Sequence, residues 1–133
     1  MKTLITICAI AVLYTATAQD RTMLYANSRN TTSLYEYRND SEFKYVLFYK
    51  NAAGADALAY EYLNFKSVDD LNLFLVSTIR SITHKKFIHM TMSRKDIYVY
   101  GVSRQTAVIS VDGIQGLLNK ADATELKSKL CEL

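Results

Sequence analysis

Proline is missing from this chain, glycine occurs only four times and cysteine only twice. Each scarcity closes off a class of protein. With no proline, no low-complexity tract and no apparent repeat, nothing reads as a linker, and one domain is expected. So few glycines leave no glycine-rich phosphate loop, and neither a G-x-S-x-G elbow nor an H-E-x-x-H pair occurs. Of the two cysteines, Cys8 falls in the first apolar run and only Cys131 lies beyond it. An internal disulfide framework is therefore excluded, and stability must come from a packed core. Histidine is equally sparse: His84 and His89 have no close cysteine or acidic companion, while a zinc site needs three or four ligands. No metal and no cofactor is expected.

The N-terminus carries a pattern of its own. Lys2 is followed by the apolar stretch Leu4–Leu13 and then by Ala16-Thr17-Ala18, the order of a secretory signal peptide with a small-residue cleavage site. The apolar stretch is short of the roughly 20 residues that cross a bilayer. Residues 1–18 are thus expected to be removed, and residues 19–133 to form one exported, soluble domain, periplasmic or extracellular, with no membrane span after cleavage.

Half of the chain is hydrophobic and 22% is charged, with a net charge of +3 that includes Lys2. That is a globular composition, and too weakly basic for a nucleic-acid-binding domain. The charge is uneven: Arg80, Lys85, Lys86, Arg94, Lys95 and Arg104 face only Asp96 between residues 80 and 104. Arg80, Lys85, Lys86, Arg94 and Lys95 are a candidate patch for an anionic partner, against the plainer reading of a solvated face.

Periodicity gives the fold class. Leu34–Arg38, Phe43–Lys50 and Leu58–Phe65 read as strands, with a weaker one over 22–27. Ser67 then opens a helix whose apolar stripe runs through Val68, Leu71, Leu75, Ile79 and Ile82 and ends near His84. Phe87–Met92, Ile97–Tyr100 and Ala107–Val111 form a second set of strands. The C-terminus is expected to be helical from Ile114 through Leu118, with Asp122 capping a last helix over Ala123–Leu130. The sum is α+β: a meander-like antiparallel sheet, one long helix between two strand sets and a C-terminal helix packed on one face.

Tyrosine placement is the most unusual feature. Tyr35/Tyr37, Tyr45/Tyr49, Tyr60/Tyr62 and Tyr98/Tyr100 sit at even spacings, so each pair projects from one face of its strand. A ring with a polar tip suits a half-wet surface that meets a partner, although tyrosine is also simply a good strand former. Tyr35, Tyr37, Tyr60, Tyr62, Tyr98 and Tyr100 are the candidate binding residues, for a protein or glycan partner. The leading expectation is a non-enzymatic binding domain. The alternative is a small secreted hydrolase with a carboxylate or histidine site, for which Glu36 and Glu61 are the available pair. Cys131, odd in number and near the end, is a candidate for a disulfide-linked homodimer. Asn30-Thr31-Thr32 and Asn39-Asp40-Ser41 match the N-glycosylation acceptor pattern.

Overall fold

A computed structural model describes residues 21–39, 42–52 and 60–133. The expected signal peptide lies outside the described residues, as do Asp40 and Ser41 of the second acceptor tripeptide and most of the loop after Asn51. The elements are β1 (Arg21–Ala26), β2 (Thr32–Tyr37), β3 (Tyr45–Asn51), β4 (Tyr60–Phe65), α1 (Val68–His84), β5 (Phe87–Met92), β6 (Lys95–Gly101), β7 (Thr106–Val111), β8 (Ile114–Asn119) and α2 (Lys120–Leu130). Four strands followed by a helix therefore come twice in succession, a repeat of architecture that the residues themselves do not show. All eight strands belong to one open antiparallel sheet in the order β1-β2-β3-β8-β7-β6-β5, with β4 paired to β3. The fold is α+β, with the long helix between the two strand sets and a second at the C-terminus.

Strand alternation divides the sheet into two unlike faces. Leu34 on β2 pairs with Leu47 on β3, which pairs with Leu63 on β4. Across the other half, Ile97 pairs with Val111, Val99 with Ile109, and Ala107 with Leu118. All of these are buried and share the inner face with Tyr45 and Tyr49. The helices cover that face. Leu71, Phe74, Leu75, Thr78 and Ile82 recur at three and four residues along α1, and α2 adds Ala123, Leu126 and Leu130. Phe74 meets Phe65 with ring centroids 5.4 Å apart. Burial of such side chains contributes about 1.5–3 kcal/mol each, so this face supplies most of the stability that the absent disulfides cannot.

β1 departs from strict alternation, and the departure matters. The register slips between Met23 and Tyr25, a β-bulge at Leu24 that sends two evenly spaced residues to opposite faces. Met23 pairs with Tyr35 on the outer face and Tyr25 with Leu34 on the inner one. There the Tyr25 hydroxyl donates to Asp122 Oδ1 at 3.0 Å and to Glu125 Oε2 at 3.1 Å. Asn27 Nδ2 donates to Asp122 Oδ2 at 3.0 Å. Burial first, then these two carboxylates, push the Tyr25 phenol far above its ordinary range, so it stays protonated and keeps donating.

Both helix ends follow from local chemistry. Ser67 is extended, and its hydroxyl accepts from Asp70 N at 3.2 Å, with Asp69 and Asp70 in the positive first turn. Lys85 closes α1 in the left-handed region at φ 52°, and the Lys86 amide returns to Ser81 O at 3.1 Å. The second helix corrects the sequence reading. Its cap is Asn119, whose side chain accepts from Ala121 N at 2.8 Å. Asp122 is inside the first turn and is spent on Tyr25 and Asn27. Ile114–Leu118, expected to be helical, is strand β8. The cause is Asp112-Gly113, both at positive φ (54° and 77°), which form a two-residue hairpin turn and fold the chain back along β7. Ser93-Arg94 makes the matching turn between β5 and β6 at φ 52° and 66°, without a glycine or asparagine to ease it.

Where β6 meets α1 there is no room for a side chain. A Cβ on Gly101 would stand 2.7 Å from Ser81 O and 3.0 Å from Ile82 Cα, both backbone atoms. Gly101→Ala is accordingly expected to destabilise the protein by about 2–3 kcal/mol, read as a lower denaturation midpoint in urea. Arg94→Gly should act in the opposite direction, raising stability by about 1 kcal/mol because it removes a left-handed side-chain residue. The same urea titration checks both.

Candidate functional site

With both helices on the inner face, the outer face has no third layer among the described residues. Cross-strand partners trace a line over it: Tyr60 pairs with Lys50, Lys50 with Leu117, Leu117 with Val108, Val108 with Tyr100 and Tyr100 with Phe87. The line crosses six strands, five steps of about 4.8 Å, or roughly 24 Å along the sheet. It contains one charge, and the lysine's methylene stem lets even that residue lie along apolar surface.

At the β1–β4 end, Tyr35, Phe48 and Tyr62 form a cross-strand ladder. Tyr35 meets Phe48 edge-on with centroids 5.7 Å apart, and Phe48 lies 6.0 Å from Tyr62. The Arg21 guanidinium rests over Tyr35 at 4.9 Å and over Phe48 at 5.3 Å. Tyr37 donates from its hydroxyl to Asn64 Oδ1 at 2.9 Å. Burial raises the Tyr37 phenol, and the nearby Arg21 charge opposes the rise. Between this ladder and the β1–β2 turn lies a concavity of about 460 Å³, walled by Met23, Asn30, Ser33, Phe48 and Tyr60. Tyr60 donates to Asn30 O across its rim.

At the β5–β7 end a second aromatic group stands on the same face. Tyr98 stacks on His89 at 4.7 Å with ring planes 14° apart, and Phe87 stacks on Tyr100 at 5.8 Å with planes 19° apart. Since 4.7 Å is the spacing between strands, His89 and Tyr98 stand on edge, face to face. Gln115 Nε2 donates to the Tyr100 hydroxyl at 3.1 Å. Asp96 accepts from Thr91 Oγ1 at 3.0 Å and lies 2.9 Å from His89 Nε2.

The six candidate tyrosines are thus all on the outer face: Tyr35, Tyr37, Tyr60 and Tyr62 in one group, Tyr98 and Tyr100 in the other. Tyr60 and Tyr62 are 40% and 56% exposed. The even spacing of Tyr45 and Tyr49 has a different outcome, because both are buried on the inner face, and burial raises the Tyr49 phenol strongly. The basic residues are divided. Arg80 is on α1, and Lys85 and Lys86 precede β5. Arg94 and Lys95 follow that strand, roughly 20 Å away by its length. Of these, Lys95 comes within 4.0 Å of Asp112.

The carboxylate pair considered for hydrolysis does not assemble. Glu36 and Glu61 flank β3 on opposite sides, opposite Tyr45 and Tyr49. That places them roughly 13 Å apart along the strand, with the strand itself between them. Asn51 Nδ2 donates to Glu61 at 2.6 Å. His84 is the last residue of α1. Among the described residues, no three His, Cys, Asp or Glu side chains gather as a metal-ligand set. Among the same residues, no helix is long and apolar enough to cross a membrane. Cys131 is exposed and free.

Sequence reasoning left out Arg21, Met23, Phe48 and Phe87. The signal for Phe48 was present in its alternation with Val46, opposite Tyr45, Leu47 and Tyr49. Arg21 and Met23 could be placed only once the β1 register was known. Phe87 is 65% exposed, and its role becomes visible through its pairing with Tyr100.

The Asp96 contacts carry a pH signature. Hydrogen bonds from His89 and then Thr91 hold its carboxyl below the ordinary value of 3.8. A depressed folded value contributes stability above 3.8 that is lost as pH falls through the lower folded value. In carboxyl-detected NMR, Asp96 is expected to titrate below 3.8, and His89→Ala to raise its midpoint. No protein-family model matches the chain, and no curated protein or solved structure shows significant similarity to it.

Proposed function

We propose that the protein is an exported, non-enzymatic binding domain that holds a protein or glycan partner against the outer face of its sheet. The observation that carries this reading is the six-strand line from Tyr60 to Phe87, apolar and aromatic apart from Lys50, on a face that neither helix covers. Met23 and Tyr62 at one end and Phe87 at the other are each more than half exposed, and exposed aromatic and methionine side chains on both ends of one face favour a partner over solvent. Tyrosine is well suited there because its ring buries while its hydroxyl remains hydrogen-bonded. Asn30, Ser33, Gln115 and the Asp96–His89 pair supply polar groups around the aromatic ones. The basic residues at the two ends of β5 would then meet a partner only along its margin.

The test is capture. The tagged protein is cross-linked in the envelope and medium fractions of its host, and the stoichiometric species is identified by mass spectrometry. Alanine at Tyr62, Phe87 or Tyr98 is expected to weaken that complex about tenfold or more. Each change should leave stability within about 0.5 kcal/mol, as is usual for exposed sites. Retention of the captured species by a variant lacking Tyr35, Tyr37, Tyr60, Tyr62, Tyr98 and Tyr100 would remove the outer face from consideration.

A further inference from the structure

The concavity beside β1 has a chemistry more specific than the face around it. Arg21 is the one charged residue in its lining. Among the described residues, no carboxylate pairs with that guanidinium; its contacts are the rings of Tyr35 and Phe48. Tyr35 and Phe48 stand nearly perpendicular, at 88°, so the guanidinium is held by its charge against two differently turned rings, and its N–H donors form a planar fork. Those donors match the two oxygens of a carboxylate or phosphate, the geometry in which arginine binds best. Met23, Ala26 and Phe48 provide apolar wall, and Asn30 and Ser33 provide polar groups.

The rim is already built. Asn27 Oδ1 accepts from Thr31 N at 2.8 Å and Thr32 N at 3.2 Å, and its Nδ2 reaches Asp122. Asn30, left-handed at φ 54°, offers its carbonyl to the Tyr60 hydroxyl. A wall held this way loses little freedom when a ligand enters. The volume, about 460 Å³, lies toward the small end of the range for ligand sites. That size fits a single ring better than an extended chain.

We propose that this concavity binds an oxyanion carried on a ring-sized apolar body, an aryl carboxylate or aryl phosphate, anchored by Arg21. The inference rests on the outer face being a binding surface and names the ligand class for one part of it.

Isotope-labelled protein is titrated with benzoate, phenyl phosphate, inorganic phosphate and benzyl alcohol, following the backbone and arginine side-chain NMR signals. Benzoate, phenyl phosphate or both should shift Arg21 Nε, Asn30, Ser33 and Phe48 saturably. Whichever binds more tightly identifies carboxylate or phosphate as the natural group. Inorganic phosphate and benzyl alcohol should each bind about tenfold more weakly, since each has half of the recognised chemistry. Arg21→Gln should cost roughly tenfold to a hundredfold, the loss of a charge-assisted hydrogen bond. Arg21→Lys, which keeps the charge without the fork, should fall between, and the remaining amide signals report whether each variant is folded. The proposal is overturned if neither anion gives a saturable shift at these residues, if benzyl alcohol binds as well as benzoate, or if Arg21→Gln binds like the parent. Failure here is separable from failure of the wider reading, because the single-residue capture variants, Tyr62, Phe87 and Tyr98, all lie outside the lining of the concavity.

Discussion

Two residue pairs make one sheet out of two. Lys50 pairs with Leu117 and Asn51 with Gly116, and the Ala52 amide adds a bond to Gln115 O at 2.9 Å. This short joint connects the meander β1–β4 to the meander β5–β8, and its register decides which faces continue into each other. With Lys50 opposite Leu117, the Phe48 side of β3 runs into the Val108 side of β7, and the two aromatic groups share a surface. A slip of one residue would place one of them among the helices, because side chains alternate along a strand. The joint is secured from the inner side by Tyr49, whose ring occupies the space that a Cβ on Gly116 would need. That glycine is thus a requirement of packing at the seam, and it links the buried tyrosines to the placement of the exposed ones.

The long helix was readable because its signals agree. A serine cap, two acidic residues in the first turn and an apolar stripe at three and four residues all point to the same segment. Most strands were readable for the same reason. Ile114–Leu118 was not, because its apolar residues fit a helix as readily as a strand, and only Asp112-Gly113 distinguishes the two. Even spacing showed that tyrosines come in pairs, but it does not say which way a pair points. Tyr45 and Tyr49 are evenly spaced like Tyr35 and Tyr37 and end on the opposite face. The β1 bulge was beyond the pattern altogether, since Met23 and Tyr25 break the two-residue rule that any sequence reading must assume.

Proximity along the chain also proved a poor guide to proximity in space for charges. Lys86 and Arg94 are separated by one strand, and a strand is the most extended way to spend that many residues. Glu36 and Glu61 lie on strands that share a neighbour, yet that neighbour keeps them apart. Aromatic residues behave differently: Phe87 and Tyr100, or Phe48 and Tyr62, are distant in the chain and meet through cross-strand pairing. In an antiparallel meander, composition per strand therefore says more about a surface than any run of residues does.

The Tyr25 phenol has one further consequence. It is neutral in the fold because burial and the carboxylates of Asp122 and Glu125 oppose its ionisation, and Tyr49 is held neutral by burial and by Glu61. In the unfolded chain both would ionise near the ordinary value of 10. Their contribution is therefore complete below that value and drains away as pH rises past it. Alkaline pH therefore works against the fold at Tyr25, which joins the last helix to the first strand, and at Tyr49, beneath the seam of the sheet, with the raised Tyr37 phenol adding in the same direction.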